Sequence, residues 1–244
     1  GADRPEDLRR KKKESNSSPP VQAAPVEALT MMPLMNTPFR PGQCRAAVEA
    51  MADGPQKDIA RAEYYYFSAQ AERAAQATEP YLASPDLGLR LSACWIYGYA
   101  NLTTGQIRQA RRALETVQRT LAESGGLSPQ LRAAVSFVAD GAAVLLHLPL
   151  PEGLPSTREF LPLLPDGLRA FALYVQAHYL YLQEDYAKSV GMAEAALAMG
   201  AEAYPIPAIY LHLVAVMDYM RLRQLPQAQG HLLAAWTLAR RGLW

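Results

Sequence analysis

Small residues recur in this sequence in pairs twelve positions apart, and few folds tolerate that pattern. Ala62 pairs with Ala74, Gly98 with Ala110, Ala177 with Ser189, and Val216, the least small of the set, with Ala228. With Gly141, which has no second member, the first marks stand 36, 43, 36 and 39 residues apart. Each pair lies in a stretch whose apolar residues recur at three and four, the period of an amphipathic helix. Two helices that cross closely need small side chains at the crossing, or their backbones are held apart. The spacing therefore predicts five helix pairs. The clearest is the hairpin Leu89–Thr104 and Ile107–Leu121, with Gly105 closing the last turn of its first helix. Others are expected at Lys57–Ser68 with Ala71–Ala83, at Asp166–Gln183 with Tyr186–Met199, and at Pro207–Arg223 with Gln227–Arg241. Pro129–His147, capped by Ser128, lacks a regular partner. Residues 148–165 carry five prolines and leave room only for a short helix near Thr157–Leu161.

Nothing alternates like a strand, so the chain reads as all-α. The marks resemble those of tetratricopeptide repeats: Gly98 and Ala110 match the two small positions, Gly105 the turn glycine, and Tyr186 the aromatic after the turn. Cys94 stands where that family usually has Trp, and the repeats are longer than its 34 residues. The expected architecture is a right-handed α-solenoid of about five degenerate, tetratricopeptide-like helix pairs over residues 44–244, the third interrupted by the Pro-rich stretch 148–165.

Residues 1–43 read differently. Arg9 to Lys13 form a basic run, and Ser15 to Pro20 a polar one, so a solvated linker is expected. Met31, Met32, Leu34, Met35 and Phe39 are too apolar for a linker and suggest an extended strap on the first helices. Half of the chain is apolar and its formal net charge is +1, which argues against a nucleic-acid-binding body. No apolar run is long enough to span a membrane. Two cysteines, Cys44 and Cys94, form no metal or disulfide pattern and suit a cytoplasmic protein.

Two phrases carry a sharper resemblance. Ala62-Glu63-Tyr64-Tyr65-Tyr66-Phe67 is followed by Glu79-Pro80-Tyr81-Leu82, and Leu89-Arg90-Leu91-Ser92-Ala93-Cys94 leads to Tyr97-Gly98-Tyr99-Ala100-Asn101-Leu102. Over residues 56–244 the chain resembles the helical-repeat sensor region of bacterial LuxR-type transcription regulators, the group related to the maltose-operon activator. In that family such a region precedes a helix-turn-helix domain and senses a small molecule, a protein, or both. No helix-turn-helix and no phosphate-binding loop occur in this sequence, so the resemblance implies an excised sensor fragment that does not itself bind DNA. The start, Gly-Ala-Asp-Arg-Pro, fits that expectation.

No catalytic motif is present, and His147, His178, His212 and His231 fall on separate helices, so neither an enzyme nor a cofactor is expected. Residues three before, one after and four after each first mark should line an inner face. With Tyr210, one turn earlier in its helix, the candidate ligand-binding residues are Tyr66, Trp95, Tyr99, Tyr174, His178, Tyr181 and Tyr210. Ile59, Glu63, Leu102, Leu213, Met217 and Met220 fall on the same face. Rings with polar tips give contact area and a hydrogen-bond handle for a small effector or a protein partner. A stand-alone repeat scaffold that binds a peptide or helix is the competing expectation, and packing between repeats is the plain reading of the same stripe. Arg108, Arg111, Arg112 and Arg119 form a basic stripe on a second helix, read as a solvated face.

Overall fold

The computed structural model describes residues 30–40, 42–123, 126–149, 152 and 155–240, and there the chain forms eleven α-helices and no strand. They are α1 (Cys44–Glu49), α2 (Pro55–Phe67), α3 (Ala71–Thr78), α4 (Leu87–Thr103), α5 (Ile107–Ala122), α6 (Pro129–Leu146), α7 (Thr157–Phe160), α8 (Asp166–Leu182), α9 (Tyr186–Ala198), α10 (Pro205–Arg221) and α11 (Leu225–Leu238). None of the helices among the described residues is long and apolar enough to cross a membrane. Cys44 and Cys94 are buried free thiols. The basic run at Arg9–Lys13 lies outside the described residues.

The turns keep the frame set by the small residues. Ala69, Gly105, Glu184 and Arg223 each stand seven residues after a first mark, and each is left-handed, with φ of 64°, 80°, 62° and 58°. The next N–H reaches back five residues in every case: Gln70 to Tyr65 O (2.7 Å), Gln106 to Asn101 O (2.7 Å), Asp185 to Leu180 O (2.9 Å) and Gln224 to Tyr219 O (2.9 Å). This is the six-to-one bond of a Schellman closure, and only Gly105 adopts the conformation without a Cβ penalty. The marks themselves meet where the helices cross. Ser189 Oγ donates to Ala177 O at 2.7 Å, and a Cβ on Gly98 would sit 3.4 Å from Leu114 and 3.8 Å from Ala110 O.

Each helix packs on its successor from α2 to α6 and again from α8 to α11, while the first helices α2, α4, α6, α8 and α10 also pack on one another in chain order. The exception is the third pair. His147 ends α6 in a left-handed conformation, and prolines prevent a long second helix. A capping box still starts the one-turn α7: Ser156 Oγ accepts from Glu159 N, and Glu159 Oε1 accepts from Ser156 N. Phe160 and Leu164, each 2% exposed, fill space beside α6 and α8.

Prolines explain two differences from the expected boundaries. α3 stops at Thr78 rather than Ala83, because Pro80 falls in the next turn and the chain continues as a 3-10 turn, Glu79–Tyr81. α10 begins at Pro205 rather than Pro207. Both prolines lie in its first turn, where no helical N–H is required.

Residues 31–37 form a tight turn where an extended strap was expected. Asn36 N donates to Met32 O and Thr37 N to Leu34 O, while the Asn36 and Thr37 side chains bond back to Met31 O and Pro33 O. Those local bonds compete with an extended chain. Met31, Met32, Leu34 and Met35 are at most 1% exposed. The turn is held from three helices. Glu63 of α2 takes Leu34 N and Met35 N (2.7 and 2.9 Å), Ser92 of α4 takes Met32 N (2.9 Å), and Asn36 Oδ1 accepts from Leu168 N at the start of α8 (2.9 Å). Gly167 makes the last approach possible: a Cβ there would lie 2.7 Å from Asn36 Cα and closer still to Met35 O.

Candidate functional site

The five first helices converge on one chain of aromatic rings. Tyr66 and Phe67 come from α2, Trp95 and Tyr99 from α4, Phe137 from α6, Phe171, Tyr174, His178 and Tyr181 from α8, and Tyr210 from α10. Tyr66 stands edge-on to Trp95 (5.9 Å), Trp95 lies against Tyr99 (4.6 Å), and Phe171 links Trp95 (5.7 Å) to Tyr174 (5.3 Å). Tyr210 closes the set, 5.2 Å from Tyr174 and 6.0 Å from Phe67. His178 and Tyr181 extend it along α8, as far as Tyr186 of α9. Edge-on and offset pairs at these distances suit the ring quadrupole.

All seven candidate residues thus belong to one connected cluster, but not to one equally open face. Trp95 is 2% exposed and works as core, while Tyr66, His178, Tyr181 and Tyr210 are partly buried. Glu63, placed on the same face by its spacing, is fully buried beneath residues 31–37. In the last pair Leu213 and Met220 are exposed where Tyr174 and Tyr181 stand in the fourth. Asn101 is used internally, donating to Tyr97 O.

The phenol tips set this cluster apart from an ordinary core. The Tyr99 hydroxyl is buried without a hydrogen-bond partner among the described residues, and so is Nδ1 of His178. Burial raises the Tyr99, Tyr174 and Tyr210 hydroxyls, Tyr174 to about 12, and a phenolate at any one of them would be further disfavoured by its neighbours. Tyr66 is raised by burial and eased by Thr103. His178 is lowered by burial and then by His147. Four neutral hydroxyls from four helices therefore share one largely apolar interior, able to donate or accept hydrogen bonds but not to carry charge at neutral pH.

The spacing argument missed Phe67, Phe137 and Phe171. Phe171 had a signal: it stands six residues before its mark, as Tyr210 does before Val216. The histidines are also less scattered than expected. His212 Nδ1 and His231 Nδ1 are 2.8 Å apart, His212 Nε2 meets Glu202 (3.0 Å), and His231 Nε2 meets Glu194 (2.8 Å). Tyr219 donates to Glu194 and stacks on His231. His212 is four residues before Val216 and His231 three after Ala228, so antiparallel pairing through the marks sets them opposite. Among the described residues no group of three or more His, Cys, Asp or Glu is placed to hold a metal. Of the basic stripe, Arg112 and Arg119 line a cleft of about 410 Å³ with Arg90, Glu79 and Glu123.

No protein-family model, no curated protein and no solved structure matches the chain.

Proposed function

We propose that this chain is the effector-sensing or protein-interaction repeat region of a LuxR-type transcription regulator, built as a right-handed solenoid of about five degenerate tetratricopeptide-like pairs. The recurring turn geometry and the chain-order packing of the first helices support the solenoid. The observation that carries the binding role is the set of phenol tips. Buried polar atoms usually find partners, so tyrosines from four helices in one interior with an unpaired hydroxyl among them favour a guest that supplies those bonds. A guest touching the first helices of four of the five pairs would bias their relative packing, which is what a sensor needs.

Thermal unfolding against sugars, amino acids, aromatic metabolites and short peptides tests this reading, since a guest specific to the folded state raises the midpoint by mass action. The guest's shift should shrink in Tyr174→Phe and in Tyr210→Phe, which remove only hydroxyls. A shift that survives both changes would overturn the role of the cluster.

The second reading, a stand-alone scaffold for a peptide or helix of a partner, is favoured by residues 31–37. There a chain segment is already held on the first helices through its backbone N–H groups. Peptides that raise the midpoint when no small molecule does would favour it.

A further inference from the structure

Where the third pair lacks its second helix, a cavity of about 670 Å³ opens between α6, α7 and α8. That volume is within the range of small-molecule sites, roughly 300–1,000 Å³. Its walls combine Val144, Tyr179 and Leu182 with one polar network. Gln176 Nε2 donates to Asp140 Oδ2 (3.2 Å) and to Thr157 Oγ1 (3.0 Å). Asp140 is half-buried, and the partner it has there is a neutral amide. It makes no ion pair among the described residues, and burial raises its pKa. A carboxylate that is partly desolvated and not neutralised gains strongly from an incoming cation.

The backbone adds the same sign of charge. α6 and α8 both bring their C-terminal turns to the cavity, through Val144 and His147 on one side and Leu182 and Gln183 on the other. Helix C-termini carry the negative end of the macrodipole and favour cations. No lysine or arginine is among the described lining residues. The other titratable groups close by are His147 in the wall, His178 beside Tyr179, and the Tyr99 hydroxyl, whose ionisation Asp140 disfavours.

We propose that this cavity binds a small organic cation: an ammonium group against Asp140 and Thr157, on an apolar body that lies against Val144, Leu182 and the Tyr179 ring. The site is separate from the phenol cluster and stands whether or not the chain belongs to a regulator. It lies close to that cluster all the same. Gly141 follows Asp140, and a Cβ there would be 3.7 Å from the Tyr99 hydroxyl.

The test uses the full chain and three matched probes, 2-phenylethylammonium, 2-phenylethanol and phenylacetate, titrated to millimolar concentration and followed by amide NMR. The ammonium should bind saturably and move the Gln176 side-chain amide signals. The alcohol and the carboxylate should bind more weakly by about tenfold or more. Asp140→Asn should cost the ammonium a similar factor and leave the alcohol unchanged. Ala143→Phe, which fills the cavity and leaves the carboxylate in place, should abolish binding of the ammonium. Equal affinity for ammonium and alcohol, indifference to Asp140→Asn, or no saturable ammonium binding at millimolar concentration would each overturn the proposal.

Discussion

Glu63 and Tyr99 stand on neighbouring first helices, one residue past their respective small marks, and both are buried. Glu63 has two backbone N–H groups from residues 34 and 35 within 2.9 Å, and the turn it holds is anchored again by Ser92 and by Asn36. The Tyr99 hydroxyl has no partner among the described residues. A polar group satisfied by the chain itself is structural, and removing it strands its partners. A polar group left unsatisfied costs stability as it stands, and removing it strands nothing. The same position in the repeat thus holds a satisfied polar group in one pair and an unsatisfied one in the next.

The largest effect should come from breaking the satisfied side. Glu63→Ala leaves two buried N–H groups unpaired at roughly 1–3 kcal/mol each, and for a chain of this size that lowers the melting midpoint by about 10 °C. Glu63→Gln keeps acceptor capacity and should lose much less. Equal losses in the two variants would show that volume, and not hydrogen bonding, fixes residues 31–37.

Gly167→Ala attacks the same contact from α8. Its Cβ would overlap the backbone at Met35 and Asn36, where no flexible side chain can yield. Overpacking of this kind costs about 1–3 kcal/mol. Limited proteolysis near residue 36 should accelerate in parallel, because the turn is the part displaced. An unchanged cleavage rate would mean that the other anchors hold the turn alone.

A pH titration sharpens the comparison further. Burial pushes Glu63 up to about 8, against the opposing pull of its two N–H bonds. Above the ordinary glutamate range and below that value, the folded chain keeps a proton that the unfolded chain has released. The stability linked to Glu63 is therefore complete at acid pH and is lost as pH rises through about 8. Asp218, raised by burial to about 6, has the same sign at lower pH. The lowered His178 and His212 act in the opposite sense below the ordinary histidine value, so the fall of the midpoint is expected above about pH 6.5, and Glu63→Gln should flatten it. Parallel profiles for parent and variant would remove Glu63 as the cause.

The sequence shows the helices, the Gly105 turn and the ring stripe because each is a local pattern: a period of three and four, a glycine just past a helix end, an aromatic three before, one after or four after a mark. The left-handed turns at Ala69, Glu184 and Arg223 carry no such signal. What it hides is set by distant partners. Glu63 falls on the predicted inner face by spacing, yet its role is decided by a segment 29 residues earlier. Asn36 bonds to Leu168, 132 residues away, with no motif at either end. Asp140 and Gln176 each stand one residue before a first mark, on first helices that pack together, but the Thr157 that completes their network comes from a proline-rich stretch that obeys no period. The His212–His231 pair lies between these cases, since pairing through the small marks sets the two opposite.

The smallest stability change belongs to Tyr99→Phe, and it is the most direct test of the unsatisfied side. The substitution keeps the ring that packs on Trp95 and removes only the hydroxyl. If that hydroxyl has no partner in the folded chain, its loss should leave the midpoint unchanged or raise stability by up to about 1 kcal/mol, because the desolvation penalty disappears with it. A fall of about 1 kcal/mol or more would instead show that a partner, such as an ordered water, satisfies the group, and Tyr99 would join Glu63 on the structural side. If the midpoint holds and the shift given by a guest shrinks, the hydroxyl is spent on binding and not on folding. Tyr99→Phe thus separates a polar group the fold needs from one it keeps for something else.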